Sequence, residues 1–177
     1  MEHYFGAHTV DTGGIHMAAR RAANADMRAL QIFSAIPKYY NDRVSVRPER
    51  VARFRETIAE TKIAPERIVV HAAYVLNTAT PDEAKWLRAR DGLAKELERS
   101  TALGVGAVCF HPGAATDGDR EAAAERIATA IIHALETVKG DTRVLVENTA
   151  GAGSTMARTP EEVGAILAHV PKRLRGR

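Results

Sequence analysis

His71, His111 and Glu147 are the residues whose types suggest chemistry. Each follows directly on an apolar, strand-favouring run: Ile68-Val69-Val70 before His71, Val105-Gly106-Ala107-Val108-Cys109-Phe110 before His111, and Val144-Leu145-Val146 before Glu147. Two neutral imidazole nitrogens and one carboxylate are the protein ligands of a zinc site that keeps an open position for water. An ion held that way acts as a Lewis acid and brings the pKa of a bound water toward neutrality. Taken singly, each residue also has a plainer reading: a buried imidazole bonded to a backbone carbonyl, or a carboxylate in an ion pair at a strand end. Three such endings in successive strands favour a common site, because uncompensated polar groups at a sheet's exit carry a desolvation cost with no return.

For the three to meet, their strands must run side by side in the same direction. The chain alternates short apolar runs with longer amphipathic ones, as that requires. A first strand is expected over residues 4–8, and Gly13-Gly14 opens a helix running to about residue 25. A second strand covers residues 29–33, followed by a long aromatic loop over residues 34–41. From Pro48 to about residue 61 a helix places Val51, Phe54 and Ile58 on one face. The helix after His71 starts at Thr80-Pro81-Asp82-Glu83, with Thr80 as the cap, and ends near Gly104. A helix over residues 119–138 aligns Ile127, Ile131, Leu135 and Val138. Thr159-Pro160-Glu161-Glu162 then repeats the capping box before Val163, Ile166, Leu167 and Val170.

His71 and His111 are 40 residues apart and His111 and Glu147 are 36 apart. Consecutive βα units produce such spacing, and five of them predict a parallel sheet with helices outside. The fold class is α/β. Residues with chemistry end three successive strands, as around a barrel mouth, which favours the TIM-barrel type over a doubly wound open sheet. A full (βα)₈ barrel takes roughly 250 residues. Residues 1–177 are therefore expected to form one incomplete barrel domain of about five βα units, without an interior linker, stopping before the expected sixth strand.

Composition agrees with one globular unit: 45% of the 177 residues are hydrophobic. The single cysteine, Cys109, excludes an internal disulfide and fits a reducing compartment. No apolar run approaches membrane-spanning length, and the N-terminus lacks the plan of a signal peptide, so a cytoplasmic location without a membrane partner is expected. Without Lys172, Arg173, Arg175 and Arg177 the formal net charge of +3 falls by those four to −1, so basicity alone does not argue for nucleic acid. Gly151-Ala152-Gly153-Ser154 reads either as a phosphate cradle or as a plain turn. His8, ending the first strand, reads either as lining the same mouth or as making a simple structural hydrogen bond. His3, His16, His133, His169, Arg20, Arg21 and the arginine-rich C-terminal segment read as surface.

The order of motifs carries a resemblance. Gly6-Ala7-His8 with Gly13-Gly14, His71-Ala72-Ala73-Tyr74-Val75-Leu76-Asn77, Phe110-His111-Pro112-Gly113, and Val146-Glu147-Asn148-Thr149-Ala150-Gly151-Ala152-Gly153-Ser154 follow one another as the signatures of the endonuclease IV family do. The chain resembles that family from its first strand to its last helix. The resemblance implies a zinc-dependent hydrolase of TIM-barrel type, a DNA-repair phosphodiesterase that cleaves duplex DNA 5′ to an abasic site in base excision repair. It implies His71 and His111 as ligands of one zinc and Glu147 as the carboxylate bridging that zinc to a second, which places Glu147 in the catalytic step.

The resemblance also implies DNA contacts for Tyr74 and for the Lys38-Tyr39-Tyr40 loop, where the family usually has an arginine and a tryptophan; Lys38, Tyr40 and His8 complete the DNA-binding set. Members of the family continue past a segment like residues 170–177 into further Asp and His ligands. With three ligands in hand, at most one or two of the family's three zinc ions are expected, and the first and fifth strands are left as edges. Two readings stand beside this one. A sugar isomerase or epimerase-like barrel also coordinates a metal through Glu and His at strand ends, though without the turn that follows Glu147. The other is a non-catalytic fragment that binds DNA or a partner chain. The sequence gives no oligomeric state.

Overall fold

Side chains alternate between the two faces of a strand, and helices cover the face that is apolar. The computed structural model describes residues 3–35 and 47–177. Its strands are β1 (Gly6–His8), β2 (Ala29–Phe33), β3 (Ile68–His71), β4 (Ala107–Phe110) and β5 (Arg143–Val146). Between and after them run α1 (Ile15–Asn24), α2 (Pro48–Ala59), α3 (Glu83–Leu103), α4 (Arg120–Thr137) and α5 (Pro160–Ala168). All four strand pairings are parallel and the order is sequential, β1 to β5. The result is an unclosed sheet of five parallel strands, a TIM-barrel type α/β fold, as the spacing predicts. Among the described residues no helix is long and apolar enough to cross a membrane.

The register explains which residues are hidden. Leu30, Ile32, Ile68, Val70, Val108 and Phe110 share the helix-facing side of the sheet, and none is more than 3% exposed. The helices meet them with Ala18, Ala19 and Ala22 of α1, Leu93 and Leu97 of α3, and Ile127 and Ile131 of α4. Burying a side chain of this size contributes about 1.5–3 kcal/mol, so the pairing is set by the core.

Several local expectations shift. The first strand begins at Gly6, because the Phe5 carbonyl already turns to accept from the Arg28 and Ala29 amides. The fourth strand ends at Phe110, leaving His111 just beyond it. Asp82, not Thr80, caps α3: its carboxylate accepts from the Lys85 amide at 3.0 Å, while the Thr80 hydroxyl accepts from the Asp82 amide. Thr159 caps α5 as expected. Leu167 is 39% exposed, since α5 packs chiefly on α4 and one flank of its stripe stays open.

The basic C-terminal segment is also tied down. Arg175 donates to the carbonyls of Val170 and Ala168, and Arg177 to those of Leu135, Val138 and Thr142, so both satisfy helix-end acceptors. The Arg177 carbonyl accepts from the Val144 amide on the outer edge of β5.

One buried ion pair crosses the core. Glu96 and Arg99, both 2% exposed, lie 2.8 Å apart on α3. Arg99 Nε donates to Ser34 Oγ just after β2, and Ser34 Oγ donates to Glu96 Oε2. Glu96 Oε1 accepts from the Ala73 amide just after β3. The pair thus anchors the exits of β2 and β3 to one helix. Removing one partner of a buried pair leaves the other charge desolvated, at a cost of about 3–5 kcal/mol. Glu96→Ala is expected to lose that much in urea unfolding, and the double change Glu96→Leu/Arg99→Met to recover most of it. Wild-type stability in Glu96→Ala would show that the pair anchors nothing.

Candidate metal centre

His71 pairs with Cys109, and Cys109 with Leu145. His111 and Glu147 stand two residues beyond Cys109 and Leu145, so the two-residue period puts all three polar groups on the face away from the helices. The ladder runs past the strand ends: the Ala72 amide donates to the Cys109 carbonyl at 2.8 Å, and the Glu147 amide to the Phe110 carbonyl at 3.0 Å. The site residues therefore stand on registered backbone at the C-terminal rim of the sheet.

Their side chains converge. Glu147 Oε2 lies 2.7 Å from His71 Nε2 and 3.4 Å from His111 Nε2, and the imidazole centroids are 5.2 Å apart. Among the described residues these three form the one such cluster, with donor atoms all within 4.8 Å of one another. His71 Nδ1 lies 2.9 Å from the Ala72 carbonyl, which only accepts, so Nδ1 carries the proton and Nε2 faces inward. Nε2 opposes a carboxylate oxygen, an approach made favourable only by a second proton or a cation. Bonds of about 2.0–2.2 Å to one ion fit this spacing after sub-ångström adjustment. Two nitrogens and a carboxylate suit zinc or another first-row divalent ion without choosing between them. The His71 side chain is 14% exposed, whereas His111 and Glu147 are 43% and 36% exposed and face an incoming ligand.

Cys109 Sγ donates to Glu147 Oε2 at 3.7 Å; burial and the Glu147 carboxylate push its thiol up to about 12. Phe33 meets the edge of His71, and His8 packs on Phe33 with ring centroids 4.4 Å apart while pairing with the Gln31 amide. Burial and then His71 lower the His8 pKa, with Asp11 opposing. His8 thus lies on the same rim but joins no metal cluster. Tyr74 stands in the loop after β3, 55% exposed. Lys38 and Tyr40 lie outside the described residues. Gly151 and Gly153 take positive φ in a non-helical loop, so the segment is a turn and not the start of a helix. An apolar cavity of about 500 Å³ bounded by Phe54, Ile58, Ile63 and Leu103 lies at the other end of β3 and touches none of these groups.

Three loops carry the site, and side-chain bonds hold them together. Asn77 in the β3 loop accepts from the Ala114 amide at 3.0 Å and donates to the Ala114 carbonyl, while Thr78 donates to the Pro112 carbonyl. Gly113 has a φ of 100°, and a Cβ there would fall 2.1 Å from Asn77 Oδ1. From the β4 loop the Ala115 amide donates to the Ser154 carbonyl, and the Met156 amide returns a bond to the Gly113 carbonyl. Arg120 bonds the Thr155 carbonyl and both oxygens of Glu162, which also takes the Arg158 amide and guanidinium. Residue types single out none of Asn77, Gly113, Arg120 or Cys109 as supports, although the first two lie inside the quoted motifs, and they give Glu162 only a place in the α5 capping box.

With this geometry in hand, comparison with known proteins is informative. Residues 19–175 match the family described as xylose isomerase-like TIM barrel. A "Probable endonuclease 4" of Chloroflexus aurantiacus is 32% identical over 168 residues, which are 94% of this chain and 58% of that protein. One from Geobacter sulfurreducens is 31% identical over 169 residues, covering 95% and 56%. The crystal structure of endonuclease IV from Thermus thermophilus superposes with a TM-score of 0.77 at 28% identity, covering 94% of this chain and 59% of that one. A D-tagatose 3-epimerase-like protein superposes at 0.73 with 17% identity over 97% of this chain and 62% of its own; at that identity the likeness is one of fold alone. The chain thus spans a little over half the length of the relatives it matches.

The Glu162 node yields a pH dependence. Arg158, and across the loop Arg120, hold the Glu162 carboxyl down to about 2 against the opposing effect of burial. A depressed carboxyl contributes stability above its unfolded pKa, near 4.3, and loses it as pH falls through the folded value. Glu162→Gln is expected to melt about 2–4 °C below wild type at neutral pH. That gap should close between pH 4.5 and 2 in melting curves followed by circular dichroism. A gap constant across this range would take Glu162 out of the network.

Proposed function

The chain belongs to the xylose isomerase-like TIM-barrel family, and from that premise we propose that it is the strand-one-to-strand-five part of a zinc-dependent DNA-repair phosphodiesterase of endonuclease IV type. Its substrate is duplex DNA with an abasic site, cut on the 5′ side. The observation that carries the reading is the convergence of His71, His111 and Glu147 on one face of the sheet rim. The relatives named endonuclease 4 support it over a sugar epimerase, whose likeness is one of fold.

A divalent metal bound by these residues supplies Lewis-acid polarisation of a phosphoryl oxygen and an activated water. The chain's own residues prepare the place. The Ala72 carbonyl fixes the His71 tautomer so that Nε2 points at the centre. His111 offers its Nε2 from the more open side. Glu147 would offer its carboxylate to the same ion, and its Oε2 already lies within 3.4 Å of both imidazole Nε2 atoms. Tyr74, exposed in the loop after β3, and His8, at the end of β1, are assigned contacts with the DNA backbone or the displaced nucleotide, and Lys38 and Tyr40 join them, all four on the family resemblance.

Two measurements test this. Wild-type protein is expected to bind zinc, and Glu147→Ala and His71→Ala to bind it more than about 10-fold more weakly, the loss seen even for an outer-shell partner. Equal zinc affinity in all three removes the centre. Incubation of the zinc-loaded protein with a duplex carrying one abasic analogue is expected to nick the strand 5′ to the lesion. Binding without a nick at high protein concentration assigns this chain a non-cutting role in DNA recognition.

A further inference from the structure

A second feature of the same rim lies outside the metal cluster. Arg47, Arg50 and Arg53 climb the first turns of α2 and line a cleft of about 240 Å³ whose opposite wall is His16 and the Gly13-Gly14 turn. Glu49 is, among the described residues, the one carboxylate in its lining. Among the described residues none of the three guanidinium groups forms a salt bridge, whereas those of Arg20, Arg120, Arg126 and Arg158 each do. Arg50 is half-buried. Burial disfavours its charge, with Asp11 opposing and the buried Arg99 adding repulsion. Burial, Arg53 and Arg20 likewise hold His16 toward its neutral form. A half-buried cation without a paired carboxylate is costly unless an anion comes to it.

The topology sets where that anion would be. α1 and α2 follow β1 and β2 in parallel βα units, so their first turns lie at the C-terminal ends of the strands, on the rim that carries His71, His111 and Glu147. Asp11 acts electrostatically on both His8 and Arg50, which places the cleft next to the His8 end of that rim. The space suits a phosphate and its water but is too small for a base pair. Guanidinium forks match phosphate oxygens in geometry and charge.

We infer that the Arg47–Arg50–Arg53 cleft holds an uncut backbone phosphate of duplex DNA, flanking the position where the reacting phosphate meets the metal centre. The inference rests on the nuclease reading above. It assigns the cleft to sequence-independent affinity and positioning, with no part in bond breaking.

The test is fluorescence anisotropy with an undamaged labelled duplex across 25–200 mM KCl, a readout that needs no incision. Each phosphate contact contributes about 0.9 to the slope of log affinity against log salt. Arg50→Gln/Arg53→Gln, with circular dichroism matching wild type, is expected to flatten the slope by about 2 and weaken binding about 10-fold at 100 mM KCl. Arg50→Lys/Arg53→Lys should keep the slope, since it keeps the charges. Lys62→Gln/Lys172→Gln, which removes two cations elsewhere, should keep it as well. Equal slopes in wild type and Arg50→Gln/Arg53→Gln overturn this inference alone. Absence of duplex binding by the wild type overturns the nuclease reading, and the cleft assignment with it.

Discussion

A slip of one residue in a parallel ladder turns every side chain of a strand to the opposite face. The metal cluster depends on that not happening in either of two pairings, β3 with β4 and β4 with β5. Nothing in the cluster enforces the register. The other face does: Ile68, Val70, Val108 and Phe110 are buried against the helices, and a slip would carry them into solvent. Apolar burial on one side of the sheet therefore orients polar groups on the other. The chemistry is placed by residues that never touch it.

Register sets which way a side chain points, but the rim beyond the strands is irregular backbone whose polar groups need partners. Here they find them in one another. The β3 loop is tied to the β4 loop through Asn77 and Thr78, and the β4 loop to the β5 loop through Ser154, Thr155 and Met156. Arg120 and Glu162 fasten the last loop to the starts of α4 and α5. Glu96 and Arg99 do the same for β2 and β3 from within the core. A donor set that is about one-third exposed is thus held by bonds between its loops without being buried.

The sequence made the three site residues legible because each ends an apolar run, and an apolar run followed by a polar group has few meanings in a βα repeat. Helix positions followed from the same periodicity, as Phe54, Ile58, Ile127 and Ile131 show. What escaped was set by tertiary neighbours. Thr80 and Asp82 are both good caps, and the helix starts after the second of them. Leu167 belongs to an apolar stripe, yet it is 39% exposed. Arg175 and Arg177 look solvated in a basic run but bond the carbonyls of helix ends. Asn77 and Gly113 acquire meaning only once the chain brings positions 36 residues apart into contact.

That last contact has a consequence for how such sequences diverge. A Cβ at position 113 would fall 2.1 Å from Asn77 Oδ1 and 2.8 Å from the Asn77 Cα, and shrinking residue 77 abandons two hydrogen bonds across the rim and one within its own loop. The clash with the Cα remains whatever side chain stands at 77, so the backbone path itself holds glycine at 113. Even after a double replacement, the left-handed backbone at 113 would admit little beyond glycine or asparagine. Among homologues position 113 should stay glycine even where residue 77 has changed, whatever becomes of the metal ligands beside it.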